Sequence, residues 1–304
     1  MSGLLVSLQD AVVQGVLWGI MVLGVYITYK LLDIADLTVD GSFAMGGCVC
    51  AVMVLMFHMD PWVALLVAGV AGMAAGAVTG LLHTIFDIPA ILAGILTQIG
   101  LWSINLRIMS GKSNIPLLKA DTVFSKFIEM TGFGKQASAL VIGVGIAILM
   151  IVLLYWFFGT EIGSAMRATG NNEAMIRAQG VNTNWTKLLA LTISNGLVGI
   201  SGGLVSQSQK YADIGMGTGA IVIGLAAIVI GEVLMGKLRS FGSKLASAVV
   251  GSVIYFVIRA IVLRMGMNAN DMKLLSAVIV AVALCVPVVI RKWRLNAAYT
   301  EGGE

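Results

Sequence analysis

Apolar runs long enough to cross a lipid bilayer occupy most of this chain, and they leave few alternatives for its fold. A transmembrane helix needs about 20 mostly apolar residues. Runs near that length occur at roughly 11–30, 41–58, 61–83, 88–109, 138–158, 186–208, 218–235, 242–264 and 272–290. Charged residues make up 11% of the chain, whereas about 25% is usual in soluble domains. The sequence therefore predicts an all-α polytopic membrane protein with about nine transmembrane helices, within a range of about eight to ten.

A single transmembrane domain is expected to cover 1–304, interrupted by two sizeable polar segments at about 110–137 and about 159–185. Basic residues favour the cytoplasmic side of a membrane protein. The C-terminal tail carries three of them, Arg291, Lys292 and Arg294. With a cytoplasmic C-terminus, alternation of the spans places 159–185 inside and 110–137 outside. The run 218–235 is short and rich in glycine, which is typical of a broken or re-entrant helix.

The sequence contains no motif that predicts a catalytic, metal-binding or nucleotide-binding site in this chain. Its three cysteines lie in apolar runs without metal-ligand spacing: Cys48, Cys50 and Cys285. A phosphate-binding loop needs a glycine five residues before its Gly-Lys pair, and Leu106 stands there ahead of Gly111 and Lys112. The net charge of +4 is modest for a membrane protein with basic cytoplasmic loops. We expect no catalytic residue, no metal site, no bound cofactor and no nucleic-acid partner.

Two polar stretches are candidates for a permeation path. The first stretch is a short connection between two apolar runs, and it contains four polar residues: Asp36, Thr38, Asp40 and Ser42. Charge near bilayer depth is costly unless it faces a cavity or a partner, although Asp and Ser also cap helices in ordinary turns. The second stretch places Thr97 and Gln98 inside an apolar run, where such side chains either join helices by hydrogen bonds or line a path. Both alternatives stay open for both stretches.

A short polar helix is predicted within the segment 159–185. Asn172 is suited to cap a helix over 173–179, with Glu173 favourable in its first turn and Gly180 ending it. A short polar helix between two spans could serve as a binding site for another protein. An ordinary interfacial helix would have the same pattern.

The residues of this segment resemble a known family. They read Gly163, Arg167, Ala168 and Asn172, then Gly180, Val181 and Asn182, then a small-residue span with Gly199, Gly202 and Gly203. This pattern is similar to that of the membrane permeases of ABC importers related to those for branched-chain amino acids and ribose. The run from Asp36 to Gly47 resembles more closely an uncharacterised branch of the family that is sometimes linked to aromatic amino acids.

The resemblance implies a permease that is not itself an enzyme and moves a small solute, such as an amino acid, inward by alternating access. Its implied partners are a second permease copy in a homodimer, two ATPase subunits that hold ATP and Mg, and an extracellular or periplasmic solute-binding protein. The implied location is the bacterial cytoplasmic (inner) membrane. A coupling helix would contact the ATPases through Arg167, Asn172, Glu173, Arg177, Gly180, Val181 and Asn182. The candidates near the pathway are Asp36, Thr38, Asp40, Ser42, Phe43, Thr97 and Gln98.

The main alternative is a secondary transporter or channel that works alone and uses an ion gradient. It would share the span pattern, and a relay of buried carboxylates would distinguish it. Glu232 is the interior candidate for such a relay.

Overall fold

The computed structural model describes residues 2–118, 120–236, 240–266, 271, 274–283, 285 and 289. Its first half contains α1 (Ser2–Tyr26), a π-helical turn over Ile27–Leu31, α2 (Thr38–Leu55), α3 (Pro61–Thr84), α4 (Ala90–Ile108), β1 (Asn114–Pro116) and α5 (Val123–Thr131). Its second half contains α6 (Lys135–Gly159), α7 (Glu161–Asn171), α8 (Glu173–Ala178), α9 (Thr183–Gln209), β2 (Tyr211–Asp213), α10 (Ala220–Met235), α11 (Phe241–Arg264) and α12 (Leu274–Ala283).

The membrane-spanning character of the fold follows from seven helices of the described residues that are long and apolar enough to cross a bilayer. They comprise α1 with its π-helical turn, α2, α3, α4, α6, α9 and α11. The predicted all-α polytopic fold is confirmed. The count of about nine is not settled by these seven, because α10 is shorter and the predicted run 272–290 extends beyond α12. The tail with its three basic residues lies outside the described residues.

Small residues let the helices approach closely within one chain. A Cβ on Gly46 of α2 would lie 2.0 Å from the backbone oxygen of Gly199 on α9. A Cβ on Gly15 of α1 would lie 2.5 Å from the Cα of Val253 on α11. Such contacts replace the hydrophobic driving force that is missing between helices in lipid. The repeated glycines of the sequence therefore mark packing faces inside this chain.

The two ends of the helix bundle carry different structures. At one end, β1 pairs antiparallel with β2, which joins the segment after α4 to the segment after α9. Beside this ribbon, Lys126 of α5 forms an ion pair with Asp60, the residue that caps α3. At the opposite end, α7 and α8 lie against the end of the first span. The polar segments 110–137 and 159–185 thus lie at opposite ends of the bundle, and which of them is outside stays a prediction.

The helix α10 begins well inside the bundle rather than at its surface. Past β2, the chain runs inward along α2, because Met216 contacts Gly47 and Gly217 contacts the backbone of Asp40. Those two positions of α2 are separated by seven residues, or about 10 Å of helix rise. The 16 residues of α10 then span only about 24 Å. Over 220–235 the helix is short but continuous, so the expected break within 218–235 is not found, and a non-helical segment precedes the helix instead.

Candidate functional site

The polar segment 159–185 forms two short helices with well-defined caps. The Asn172 side chain accepts a hydrogen bond from the Met175 amide at 3.0 Å, which starts α8 as predicted. Gly180 follows α8 with a φ of 83°, a conformation that favours glycine. Asn182 then caps α9 by accepting from the amides of Asn184 and Trp185. The polar residues of this segment therefore fix where one helix ends and the next begins.

Glu173 is the centre of a charged cluster in this segment. Its carboxylate pairs with the Lys187 ammonium at 2.7 Å and with the Arg177 guanidinium at 2.7 Å. The Thr183 hydroxyl donates to the same carboxylate at 3.0 Å. The hydrogen bond from Lys187 is the main reason that the pKa of Glu173 lies below its usual value. The cluster thus fastens α8 to the first turns of α9.

The pair α7 and α8 also contacts the ends of several spans. Gly170 of α7 lies against the end of the first span, where an added Cβ would be 1.8 Å from the backbone oxygen of Leu31. At the start of α9, the Asn184 side chain donates to the Thr84 backbone oxygen of α3 at 3.0 Å. A force applied to this module would therefore reach the first span through a close backbone contact and α9 through the Glu173 cluster. It would reach α3 only by way of α9, through Asn184.

The predicted coupling residues differ in exposure. Arg167 is half-buried, with its guanidinium 5.4 Å from the centre of the Phe241 ring at the start of α11. Four of the others line a shallow depression of about 260 Å³ between α8 and α9: Arg177, Gly180, Val181 and Asn182. Asn172 is exposed beside it, and Glu173 is partly buried. The depression is open to solvent and is available to a partner protein.

We expect Glu173→Gln to loosen α8 without unfolding the bundle. The folded-state pKa of Glu173 is lowered, so its stabilising contribution is present above its ordinary pKa and is lost as the pH falls through the folded value. At pH 7 the amides of α8 should exchange hydrogen about threefold to tenfold faster in the variant, because two partly exposed ion pairs are lost. Hydrogen-exchange mass spectrometry of α8, corrected for the intrinsic pH dependence of exchange, measures this difference.

Glu161→Gln is the matched control, because Glu161 is exposed in the first turn of α7 and takes no part in the Glu173 cluster. The difference between wild type and Glu173→Gln should disappear once the pH is below the folded pKa of Glu173. Equal exchange in all three proteins at pH 7 would show that the cluster does not hold α8.

Three of the predicted pathway residues belong to a buried hydrogen-bond network between α2, α3, α4 and α9. The Asp36 carboxylate accepts from the Thr38 amide at 2.9 Å and from the Asn195 side chain at 2.7 Å. The Thr38 hydroxyl lies 2.7 Å from that of Thr79, which lies 2.9 Å from the Thr97 hydroxyl. All five side chains are at most 7% exposed. In this conformation the network joins helices and does not open to a cavity.

The other predicted pathway residues occupy separate positions. The Asp40 carboxylate accepts from the amides of Gly219 at 2.8 Å and Ile221 at 3.0 Å, and so caps the buried start of α10. Phe43 is fully buried, with its ring centroid 4.5 Å from that of Trp18. Ser42 is also buried, and Gln98 is partly exposed. The pathway role of these residues stays a prediction.

A cavity of about 990 Å³ lies on the side of the β ribbon, the side expected to face outward, and is called the outer cavity. Its walls come from α1, α9, α10, α11 and α12. Trp18 and Phe256 form an aromatic part of the wall, with ring centroids 5.5 Å apart. Two of the predicted pathway residues contact residues of the cavity wall. The Phe43 ring packs against the Trp18 ring, and the Asp40 carboxylate accepts a hydrogen bond from the Gly219 amide.

The residues that line this cavity were not selected from the sequence as a site. One sequence pattern in α1 does indicate a polar helix face: polar and aromatic residues recur there at spacings of three to four, and all of them line the cavity. They are Ser7, Asp10, Gln14 and Trp18. Residues at such spacings share one face of a helix. The position of Arg259 of α11 on the cavity depends on how α1 and α11 cross, which the sequence does not specify.

The remaining sequence candidate, Glu232, does not lie in the interior. Its carboxylate pairs with the Lys30 ammonium at 2.9 Å, and the two side chains are 39% and 35% exposed. The pair joins the end of α10 to the end of the first span. Glu232 therefore has a local structural partner, and a proton or sodium relay through it gains no support.

Comparison with known proteins agrees with this arrangement. The family described as the branched-chain amino acid transport system permease component matches residues 7–284. The tyrosine transport system permease protein of Clostridioides difficile is 39% identical over 92% of this chain and 90% of its own length. The ribose import permease protein of Escherichia coli is 25% identical over 83% of this chain and 76% of its own length. A probable branched-chain amino acid transport permease of Methanocaldococcus jannaschii is 25% identical over 80% and 78%. The chain therefore belongs to the family of branched-chain amino acid transport system permeases, and it is the permease subunit of an ABC transporter.

Proposed function

We propose that this permease imports an aromatic amino acid across the bacterial cytoplasmic membrane, driven by ATPase subunits that are separate chains. The observation that carries the proposal is the module of α7 and α8, which borders an open depression and also contacts the ends of the first span, α9 and α11. Such a module is suited to pass a partner's motion into the membrane. The C-terminus would lie in the cytoplasm with this module.

The ATPases would bind at the depression between α8 and α9. The predicted contact residues are Arg167, Asn172, Glu173, Arg177, Gly180, Val181 and Asn182. Two ATPase subunits would serve a homodimer of this chain, and they would hold ATP and Mg at their own sites. A solute-binding protein would deliver the amino acid on the opposite face, where the β ribbon and α5 lie.

The solute would enter through the outer cavity, and alternating access would open a path past the buried network of Asp36, Thr38 and Thr97. In the present conformation these side chains are bonded to one another or to neighbouring helices. Separating α3 from α2 or from α4 would break the hydroxyl chain and expose it. The pathway candidates Asp40, Ser42, Phe43 and Gln98 would line or support the same route.

An aromatic amino acid is favoured by two observations. The Clostridioides difficile relative is named for tyrosine transport and is 39% identical. The outer cavity, in addition, combines aromatic side chains with charged and polar ones, as a zwitterionic aromatic solute requires. The ribose permease, at 25% identity, is a more distant relative.

Purification of the tagged chain from its native host in mild detergent tests the proposal. We expect stoichiometric recovery of a P-loop ATPase, identified by mass spectrometry. The complex, reconstituted in liposomes with its solute-binding protein, should accumulate radiolabelled tyrosine only when ATP is supplied on the side of the ATPases. Recovery of the chain alone, with uptake driven by an ion gradient, would overturn the proposal in favour of a secondary transporter.

A further inference from the structure

The outer cavity contains an unpaired positive charge inside the bundle. Arg259 of α11 lines the cavity, and among the described residues no carboxylate lies within ion-pair distance of its guanidinium. The guanidinium lies over the ring of Phe256, whose centre is 5.6 Å away. Arg259 is half-buried, one turn from Phe256 on the same helix face. An ionisable side chain within a span is costly unless it serves a partner or a ligand.

The neighbouring helix α1 carries a negative charge on the cavity at a similar depth. α1 and α11 cross where Gly15 meets Val253. Asp10 lies five residues outward from this crossing on α1, and Arg259 lies six residues outward on α11. Both are therefore about 8 Å outward along their helices. Asp10 is exposed to the cavity and accepts a hydrogen bond from Gln136 at 3.2 Å, but it forms no ion pair with Arg259.

The floor of the same cavity carries an unused hydrogen-bond donor. Trp18 lines the cavity and is 8% exposed, and its indole nitrogen has no acceptor among the described residues. Buried polar groups are rarely left unpartnered. The ring of Trp18 is held in place by Phe43 on one side and Phe256 on the other. The floor thus offers a fixed aromatic surface about one to two helical turns below the charged pair.

We propose that this cavity is a recognition site for the solute within the permease itself, a proposal that rests on the amino-acid import proposed above. Arg259 binds the carboxylate of an aromatic amino acid, and Asp10 faces its ammonium group. The aromatic ring of the solute lies against Trp18 and Phe256. Arg259 and Asp10 form no ion pair with each other, so each charge is available to the opposite charge of a zwitterion.

Equilibrium binding to the permease–ATPase complex without the solute-binding protein tests this site, because the binding protein would otherwise impose its own selectivity. Radiolabelled tyrosine should bind the wild-type complex in nanodiscs, and unlabelled tyrosine should displace it at least about tenfold better than tyramine, which lacks the carboxylate. Arg259→Gln should weaken tyrosine binding by about 10- to 100-fold and abolish the preference over tyramine. Arg107→Gln is the matched control, since Arg107 is exposed at the end of α4 and lies outside the cavity.

A second pair of variants tests the aromatic floor. Trp18→Phe keeps a ring and should retain most binding, whereas Trp18→Leu should lose the ring contact and weaken tyrosine binding by about tenfold. Arg259→Lys keeps the charge and should bind with intermediate affinity, which separates a local role from a folding defect. Unstimulated ATP hydrolysis and elution in size-exclusion chromatography report that each complex is intact.

The outcomes separate this site from the proposed function. If the complex imports tyrosine but Arg259→Gln binds it as Arg107→Gln does, the site is wrong and the import proposal stands. The same conclusion follows if the wild-type complex imports tyrosine yet shows no tyrosine binding without its solute-binding protein. If the complex imports ribose and no amino acid, both proposals fail.

Discussion

Replacing Gly170 with valine is expected to stop uptake while ATP hydrolysis continues. The new Cβ would lie 1.8 Å from the backbone oxygen of Leu31 and 2.7 Å from the Cα of Leu32. Backbone atoms cannot move aside as a flexible side chain can, so α7 must shift away from the end of the first span. Inserting methyl groups into a close contact typically costs about 1 to 3 kcal/mol. The module would then lose its contact with α1 while keeping its exposed face.

The expected result is a fall of at least about tenfold in ATP-driven tyrosine uptake. Because the depression between α8 and α9 is unchanged, the ATPase should stay bound and its unstimulated hydrolysis should remain near the wild-type rate. Uptake into proteoliposomes and phosphate release, measured on the same complex, provide the two readouts. Loss of uptake with retained hydrolysis is the signature of a broken transmission between subunits.

Gly159→Val is the matched control for Gly170→Val. Gly159 ends α6 beside the same module, and a Cβ there meets no atom within 4 Å. It should therefore transport at close to the wild-type rate. If Gly170→Val transports as well as Gly159→Val, the contact between α7 and the first span does not carry the ATPase motion.

The parts of the fold that are local in sequence could be predicted from it. The cap at Asn172 and the turn at Gly180 depend on neighbouring residues, and both are found where the sequence places them. The short helix α10 was also predictable, because Gly215, Gly217 and Gly219 precede it and limit its length. Span positions follow from apolar run length alone, which is set by the thickness of the bilayer.

The parts that depend on distant residues could not be predicted in the same way. Asp40 is 179 residues from Gly219 in sequence, and a helix cap across that distance leaves no local pattern. The outer cavity requires α1 to cross α11 at Gly15, which a single glycine does not specify. The role of a polar residue beside a span is ambiguous in sequence, as Asp36 illustrates. Its carboxylate accepts hydrogen bonds from Thr38 and Asn195 and so joins helices in this structure. A carboxylate that joins helices and one that lines a path carry the same sequence signal.

Replacing Asp40 with alanine is expected to destabilise the permease more than removal of any exposed carboxylate. The Asp40 oxygens accept from the amides of Gly219 and Ile221, which begin α10 inside the bundle. Ile221 is 8% exposed, so leaving its amide unpaired costs about 1 to 3 kcal/mol. The negative charge also stabilises the positive end of the α10 dipole. We expect a loss of about 2 to 4 kcal/mol in total.

The loss should appear as a lower temperature of unfolding in detergent, by about 5 to 15 °C. Size-exclusion chromatography after heating measures the fraction that stays monodisperse. Asp40→Asn keeps one acceptor oxygen without the charge, so its unfolding temperature should lie between those of wild type and Asp40→Ala. Asp121→Ala is the control, because Asp121 is exposed in the loop before α5. Equal unfolding temperatures for Asp40→Ala and Asp121→Ala would mean that α10 does not need a carboxylate at its buried start, and the charge of Asp40 would then be available to the transport path alone.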